Sequence, residues 1–105
     1  MLLVGLSNMP EDLESKLDAV HDEDTFIAFV SALATDRANE VRKEKENPSS
    51  PYGPGANGWE NGTIEAYLES AVAWAQDWKS SPQYRSATNP WKRCAEILYA
   101  GKGYE

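Results

Sequence analysis

The feature that most constrains this chain is the recurrence of its apolar residues. They fall at three- and four-residue intervals in four separate runs, with no strand-like alternation anywhere. Such spacing gathers apolar side chains on one face of a helix, since successive residues turn by about 100°. Leu13, Leu17 and Val20 mark a first helix from about Met9 to Val20. Asn8 and Glu11 stand at the spacing of a capping box, and Glu11, Asp12 and Glu14 suit the positive end of its dipole. Phe26, Phe29, Val30 and Leu33 share one face of a second helix, with Asp22 or Asp24 as its cap. That pattern weakens after Leu33. It reaches Val41 before fraying in a charged run that Asn47-Pro48 closes, because the residue before a proline avoids helical geometry.

The third run, Ile64, Tyr67, Leu68, Ala71, Ala75 and Trp78, predicts a helix from just after Thr63 to about Lys79, stopped by Ser80-Ser81-Pro82. Tyr84 to Thr88 read as a linker. Asn89-Pro90 then supplies an N-cap and a first-turn proline for a fourth helix, with Trp91, Cys94, Ala95 and Leu98 on one face and Gly101 as its C-cap. The spacing therefore predicts an all-α fold, a compact bundle of about four helices. A long Gly/Pro-rich loop over 47–62 separates helices two and three, and 102–105 form a short tail. At 105 residues the whole chain, 1–105, makes one domain with one modest core.

Trp59 lies inside that loop and gains by burial, so it predicts that the loop's latter half is pinned to the body. Loops longer than about 12–15 residues are either functional or disordered in compact domains. Tyr52 and Trp59 on this one are therefore open to recognition, since aromatic anchors dominate binding hot spots, although a purely architectural role is the leading reading. The helix-spaced Trp74, Trp78 and Trp91 read as core or half-buried packing instead.

Charge narrows the function classes. The formal net charge is −7, which repels a phosphate backbone and disfavours nucleic-acid binding. Arg42, Lys43 and Lys45 interleave with Glu40, Glu44 and Glu46, and read as a solvated, mixed-sign helix end. The acidic surface is compatible with a basic protein partner or merely with solubility, and solubility is the preferred reading. One cysteine permits no internal disulfide. Met1 to Leu6 is too short for a signal-peptide core and lacks a basic lead. No apolar run nears the roughly 20 residues of a membrane helix, and the expected location is cytoplasmic.

Chemistry-bearing groups are sparse. A nucleophilic pair would have to join His21, in an acidic turn, to Cys94, which reads as a small buried hydrophobe. His21, Asp22, Glu23 and Asp24 are ligand types, but neighbours in sequence cannot all point at one ion, and capping explains them. Gly53, Gly55, Gly58 and Gly62 lack the lysine of a phosphate loop and read as turn formers. Glu65 and Glu69 share a helix face near Tyr67 without convergent partners. No catalytic, cofactor-binding or metal residue is assigned.

Several strings together resemble a known family. They are Asp36-Arg37, the stretch from Asn47-Pro48 to Tyr52, Gly58-Trp59-Glu60-Asn61 with Thr63-Ile64-Glu65, Tyr67-Leu68-Glu69, Trp74-Ala75, Trp91-Lys92, Ala95 to Lys102 and Tyr104-Glu105. This set resembles a family of small bacterial proteins, the domain of unknown function numbered 7660, over nearly the whole chain. The resemblance implies a bacterial or phage setting and one compact domain, and brings no activity, substrate or catalytic residue. It also implies that Trp59, Asn61 and Thr63 act as a unit, Trp59 docking while Asn61 or Thr63 caps the third helix.

The leading expectation is a non-enzymatic interaction domain, immunity-type or regulatory. Its contact residues would be Tyr52, Trp59, Glu60, Asn61, Glu65 and Tyr67, and no cofactor is needed. The rivals are a small ligand-binding module or enzyme using Glu60, Glu65 or Glu69 beside Trp59 and Tyr67, and a homodimer rather than a monomer.

Overall fold

The computed structural model describes residues 12–85 and 89–104. Four helices follow in order: α1 (Leu13–Asp18), α2 (Glu23–Glu46), α3 (Ile64–Lys79) and α4 (Pro90–Ala100), and no strand occurs among the described residues. The helix boundaries follow local capping chemistry. Asp22 accepts the Thr25 backbone N–H at 2.9 Å while the Thr25 hydroxyl oxygen accepts the Asp22 N–H at 3.0 Å, a reciprocal box that starts α2. Thr63 caps α3 through the Ala66 N–H, and Asn89 caps α4 through the N–H groups of Trp91 and Lys92.

The first helix starts later than the spacing predicts. Asp12 is its extended N-cap, holding the Glu14 and Ser15 N–H groups, so the helix begins at Leu13. The Asn8–Glu11 box and the Met9–Glu11 turn lie outside the described residues.

α4 is the hub, packing on α1, α2 and α3. The core gathers Leu13, Val20, Phe29, Ala32, Leu33, Trp59 and Ala95, with Leu17, Phe26, Tyr67, Leu98 and Tyr99 against it. Phe29 is wholly buried, which is worth about 2–3 kcal/mol of apolar transfer. Ala71 and Ala95 are buried where helices approach, small side chains letting the backbones close. Asn89 Nδ2 donates to the His21 carbonyl at 3.0 Å, tying the start of α4 to the α1–α2 turn.

Three readings of the sequence change here. The buried face of α2 does not end at Leu33. It runs on through Asp36, Asn39 and Glu40, the same face in helical phase but made of polar residues. Val30, assigned to the apolar face, is partly exposed instead. On α4 the inward phase is set by Ala95, Leu98 and Tyr99, so Cys94 is exposed rather than buried, and Trp91 keeps more than a third of its surface in solvent. Gly101 is the C-cap of α4, as the sequence suggests, with ordinary helical geometry, φ −59°. Its glycine is required by crowding: a Cβ there would stand 2.8 Å from the Tyr67 ring and 2.9 Å from the Tyr67 carbonyl oxygen.

Candidate functional site

The charged run of α2 is largely a clamp for the segment that follows it. Buried Glu40 accepts the N–H groups of Asn57 and Trp59 at 2.9 and 3.1 Å, and Arg37 Nη1 donates to its other oxygen at 2.9 Å. One turn on, Glu44 accepts from Ser49 N, Ser49 Oγ and Ala56 N. The two hydrogen bonds from Ser49 hold the Glu44 carboxyl below its ordinary value. One turn back, Asp36 accepts the Trp59 indole N–H at 2.7 Å and the Lys102 ammonium at 2.9 Å. Asn57 fills the space between, donating to Asp36 and Asn39 while its carbonyl oxygen accepts from Lys43. Each buried carboxylate thus has a cation and main-chain or side-chain donors, the condition under which burying charge is tolerable. Glu40, Lys43 and Glu44 are half-buried or buried here, not solvated. Arg42, Lys45 and Glu46 are exposed as the sequence suggests.

The clamp forces a tight turn. Gly58 N–H donates to the Gly55 carbonyl at 2.9 Å, and Gly58 adopts φ +89°, which a side chain rarely tolerates. The turn then receives the end of the chain: Glu60 N–H donates to Lys102 O, and Asn61 Nδ2 donates to the Gly101 carbonyl. The residues after α4 are therefore part of the body.

Between this turn and the helices lies an open groove of about 730 Å³. Trp74 and Trp78, one helical turn apart on α3, form one wall, their rings parallel within 2° and 6.3 Å apart. Tyr99 and Tyr104 face it from α4 and the following residues, with Leu17 of α1 completing the apolar lining. Glu96 supplies the groove's carboxylate, and Lys102 its cation, which Asp36 already neutralises. Tyr104 donates its hydroxyl to Asp77, and that hydrogen bond raises its pKa. Burial raises that of Tyr99, helped by the charge of Glu14.

The six contact residues expected from sequence separate. Trp59, Asn61 and Tyr67 come together and line a smaller hollow of about 200 Å³ with Arg37. Their polar atoms are spent on the fold: the Trp59 indole on Asp36, Asn61 on Gly101, and the Tyr67 hydroxyl on the Leu98 carbonyl at 2.7 Å. Trp59 is 8% exposed, and Thr63 rather than Asn61 caps α3. Tyr52 is 96% exposed. Glu60, Glu65 and Glu69 are exposed, and none of them lines the hollow beside Trp59. Sequence reasoning missed Tyr99 and Tyr104 as site residues and took Trp78 for packing. The available signal was the clustering of aromatics from Trp74 to Tyr104.

Residues 22–105 match a family model described as a family of unknown function, DUF7660. The chain belongs to that family. The match opens at the α2 N-cap and covers the clamp and every groove residue except Leu17. No curated protein and no solved structure matches the chain.

Proposed function

We propose that this DUF7660 domain is a non-enzymatic interaction domain that receives a basic, apolar-bearing segment of a protein partner in the aromatic groove. One observation carries the reading: the stacked Trp74–Trp78 wall opposite Tyr99 and Tyr104, with Glu96 as the groove's carboxylate. Indole faces attract lysine or arginine heads, worth about 0.5–2 kcal/mol as desolvation increases. The net charge of −7 favours such partners over the whole surface. An enzyme built on Glu60, Glu65 and Glu69 has less support, because these side chains stand on exposed positions without a shared concavity.

Gly103 gives the test. It lines the groove, and a Cβ there would meet nothing nearer than the Gly58 carbonyl at 3.7 Å, so a side chain can start from this position without a backbone clash. Short peptides pairing Lys or Arg with Leu or Phe are titrated against tryptophan fluorescence, with acidic peptides as controls. Saturable binding by the basic set, lost in Gly103→Leu, is expected. Binding that ignores Gly103→Leu, or follows neither charge nor apolar content, sinks the reading. A cavity of about 730 Å³ also falls in the range of small-molecule sites, roughly 300–1,000 Å³, so an aryl ammonium compound is titrated alongside.

A further inference from the structure

A second cavity, at the start of α4, brings three cations together. The chain has ten Lys and Arg against seventeen Asp and Glu. Arg37, Arg42 and Lys102 are paired with Glu40, Glu46 and Asp36, and Lys43 is held by Asn57. Arg85, Lys92 and Arg93 form no ion pair among the described residues. All three line one cavity of about 280 Å³, in a protein of net charge −7.

Their setting is built rather than incidental. The Arg93 guanidinium lies 5.1 Å from the Trp74 ring centre and 5.8 Å from that of Tyr84, which fixes its position. Its Nη1 is buried with no hydrogen-bond partner among the described residues. A buried charged donor without an acceptor is costly, and native structures rarely leave one so. Arg85 Nη1 is oriented by the carbonyls of Tyr84 and Pro82 at 2.8 and 3.4 Å. Lys92 sits in the first turn of α4, where the helix dipole adds positive potential. The amides of Gln83 and Asn89 and the indole of Trp78 complete the wall. Glu96 is the lone carboxylate, so three cations face one anion.

We propose that this cavity is an anion site for a phosphate or carboxylate group borne by a small organic molecule, whose organic part lies against Trp78. Arg85, Lys92 and Arg93 supply the charge, and the Gln83 amide a further donor. The cavity has room for roughly nine waters at about 30 Å³ each, more than a bare oxyanion fills.

The test titrates the full chain at constant ionic strength with inorganic phosphate, phenyl phosphate and benzoate, reading amide and indole N–H resonances. Saturable shifts centred on Lys92, Arg93 and the Trp78 indole are expected, with phenyl phosphate tighter than inorganic phosphate. Arg85→Gln with Lys92→Gln should weaken binding by about tenfold or more, the scale of lost charge-assisted hydrogen bonds, while Lys45→Gln on the far end of α2 leaves it unchanged. Saturation by benzoate alone assigns the site to carboxylates. No saturable binding by any of the three, shifts centred elsewhere, or equal affinity in the folded double variant overturns the proposal. Phenyl phosphate binding no tighter than phosphate overturns its organic part. Should the double variant not fold, the wild-type shift map decides.

Discussion

Asp36 and Trp59 are joined by a 2.7 Å hydrogen bond from the indole Nε1 to Oδ2, across a sequence gap of 23 residues and inside the core. The same oxygen takes the Lys102 ammonium, so one carboxylate binds the middle of α2 to both the connecting segment and the chain's end. Removing it strands two donors and an ammonium that is largely shielded. Asp36→Ala is therefore expected to lose about 3–5 kcal/mol, the range for breaking a buried pair from one side. Asp36→Asn should lose less, since an amide oxygen still accepts from Trp59. Urea unfolding followed by tryptophan emission measures both, and a loss under about 1 kcal/mol for Asp36→Ala would show the pair to be solvent-screened.

Two glycines should respond oppositely to the same methyl group. At Gly101 a Cβ meets the Tyr67 ring and carbonyl, neither of which can swing away, so Gly101→Ala is expected to cost about 1–3 kcal/mol through overpacking. At Gly53 a Cβ meets nothing within 4 Å and φ is not positive, so Gly53→Ala should stay within about 0.5 kcal/mol of wild type. Thermal unfolding of the two variants side by side provides the comparison.

These residues also show how far the sequence was legible. Caps and breakers are local chemistry, so Asp22, Thr63, Asn47-Pro48 and Asn89-Pro90 bound their helices much as the sequence predicts. Hydropathy fails where a buried face is polar: Asp36, Asn39 and Glu40 keep helical phase with Phe29, Ala32 and Leu33, yet an apolar pattern stops at Leu33. Their partners, Asn57, Trp59 and Lys102, are remote in sequence, so nothing near them signals burial. The groove was hidden for the same reason, since its walls come from four separate segments. On α4 the spacing of Trp91, Cys94, Ala95 and Leu98 fits two faces, and only packing against the core selects the one centred on Ala95.

Cys94 gives a direct check on that phase. It is exposed and is the chain's single cysteine. A thiol-reactive disulfide reagent should titrate one thiol per chain in native buffer, at a rate little changed by denaturant. A thiol that reacts only after unfolding would mean that α4 is rotated towards the face the sequence suggested.

Glu44 makes stability depend on pH with a definite sign. Its hydrogen bonds from Ser49 and Ala56 lower its folded pKa from the ordinary 4.5, and those of Thr25 to Asp22 act likewise from 3.8. A depressed folded pKa contributes stability that is fully present above the unfolded value and is lost as pH falls through the folded one. Unfolding midpoints should thus drop below about pH 4.5, and Glu44→Gln should flatten the upper part of that drop while lowering stability at neutral pH. An unchanged acid profile in Glu44→Gln would assign the drop to other carboxylates.

The stacked indoles allow folding and binding to be separated. Trp74 is half-buried and carries both Trp78 and the Arg93 guanidinium on its ring system, whereas Trp78 is 38% exposed at the groove's mouth. Truncating the inner ring removes packing from α3, α4 and Arg93 together. Trp74→Ala is accordingly expected to cost about 3 kcal/mol, the lower end for aromatic-to-alanine changes in cores. Trp78→Ala gives up one face of a stack and solvent-facing area, so about 1 kcal/mol is expected from it. Its effect on a basic peptide in the groove should be the larger one, about tenfold in affinity, because the lost ring face is the one that peptide can reach. Calorimetric melts and peptide titrations on the two variants test the separation. If Trp78→Ala destabilises the chain as much as Trp74→Ala, the outer ring belongs to the core and the groove loses its wall.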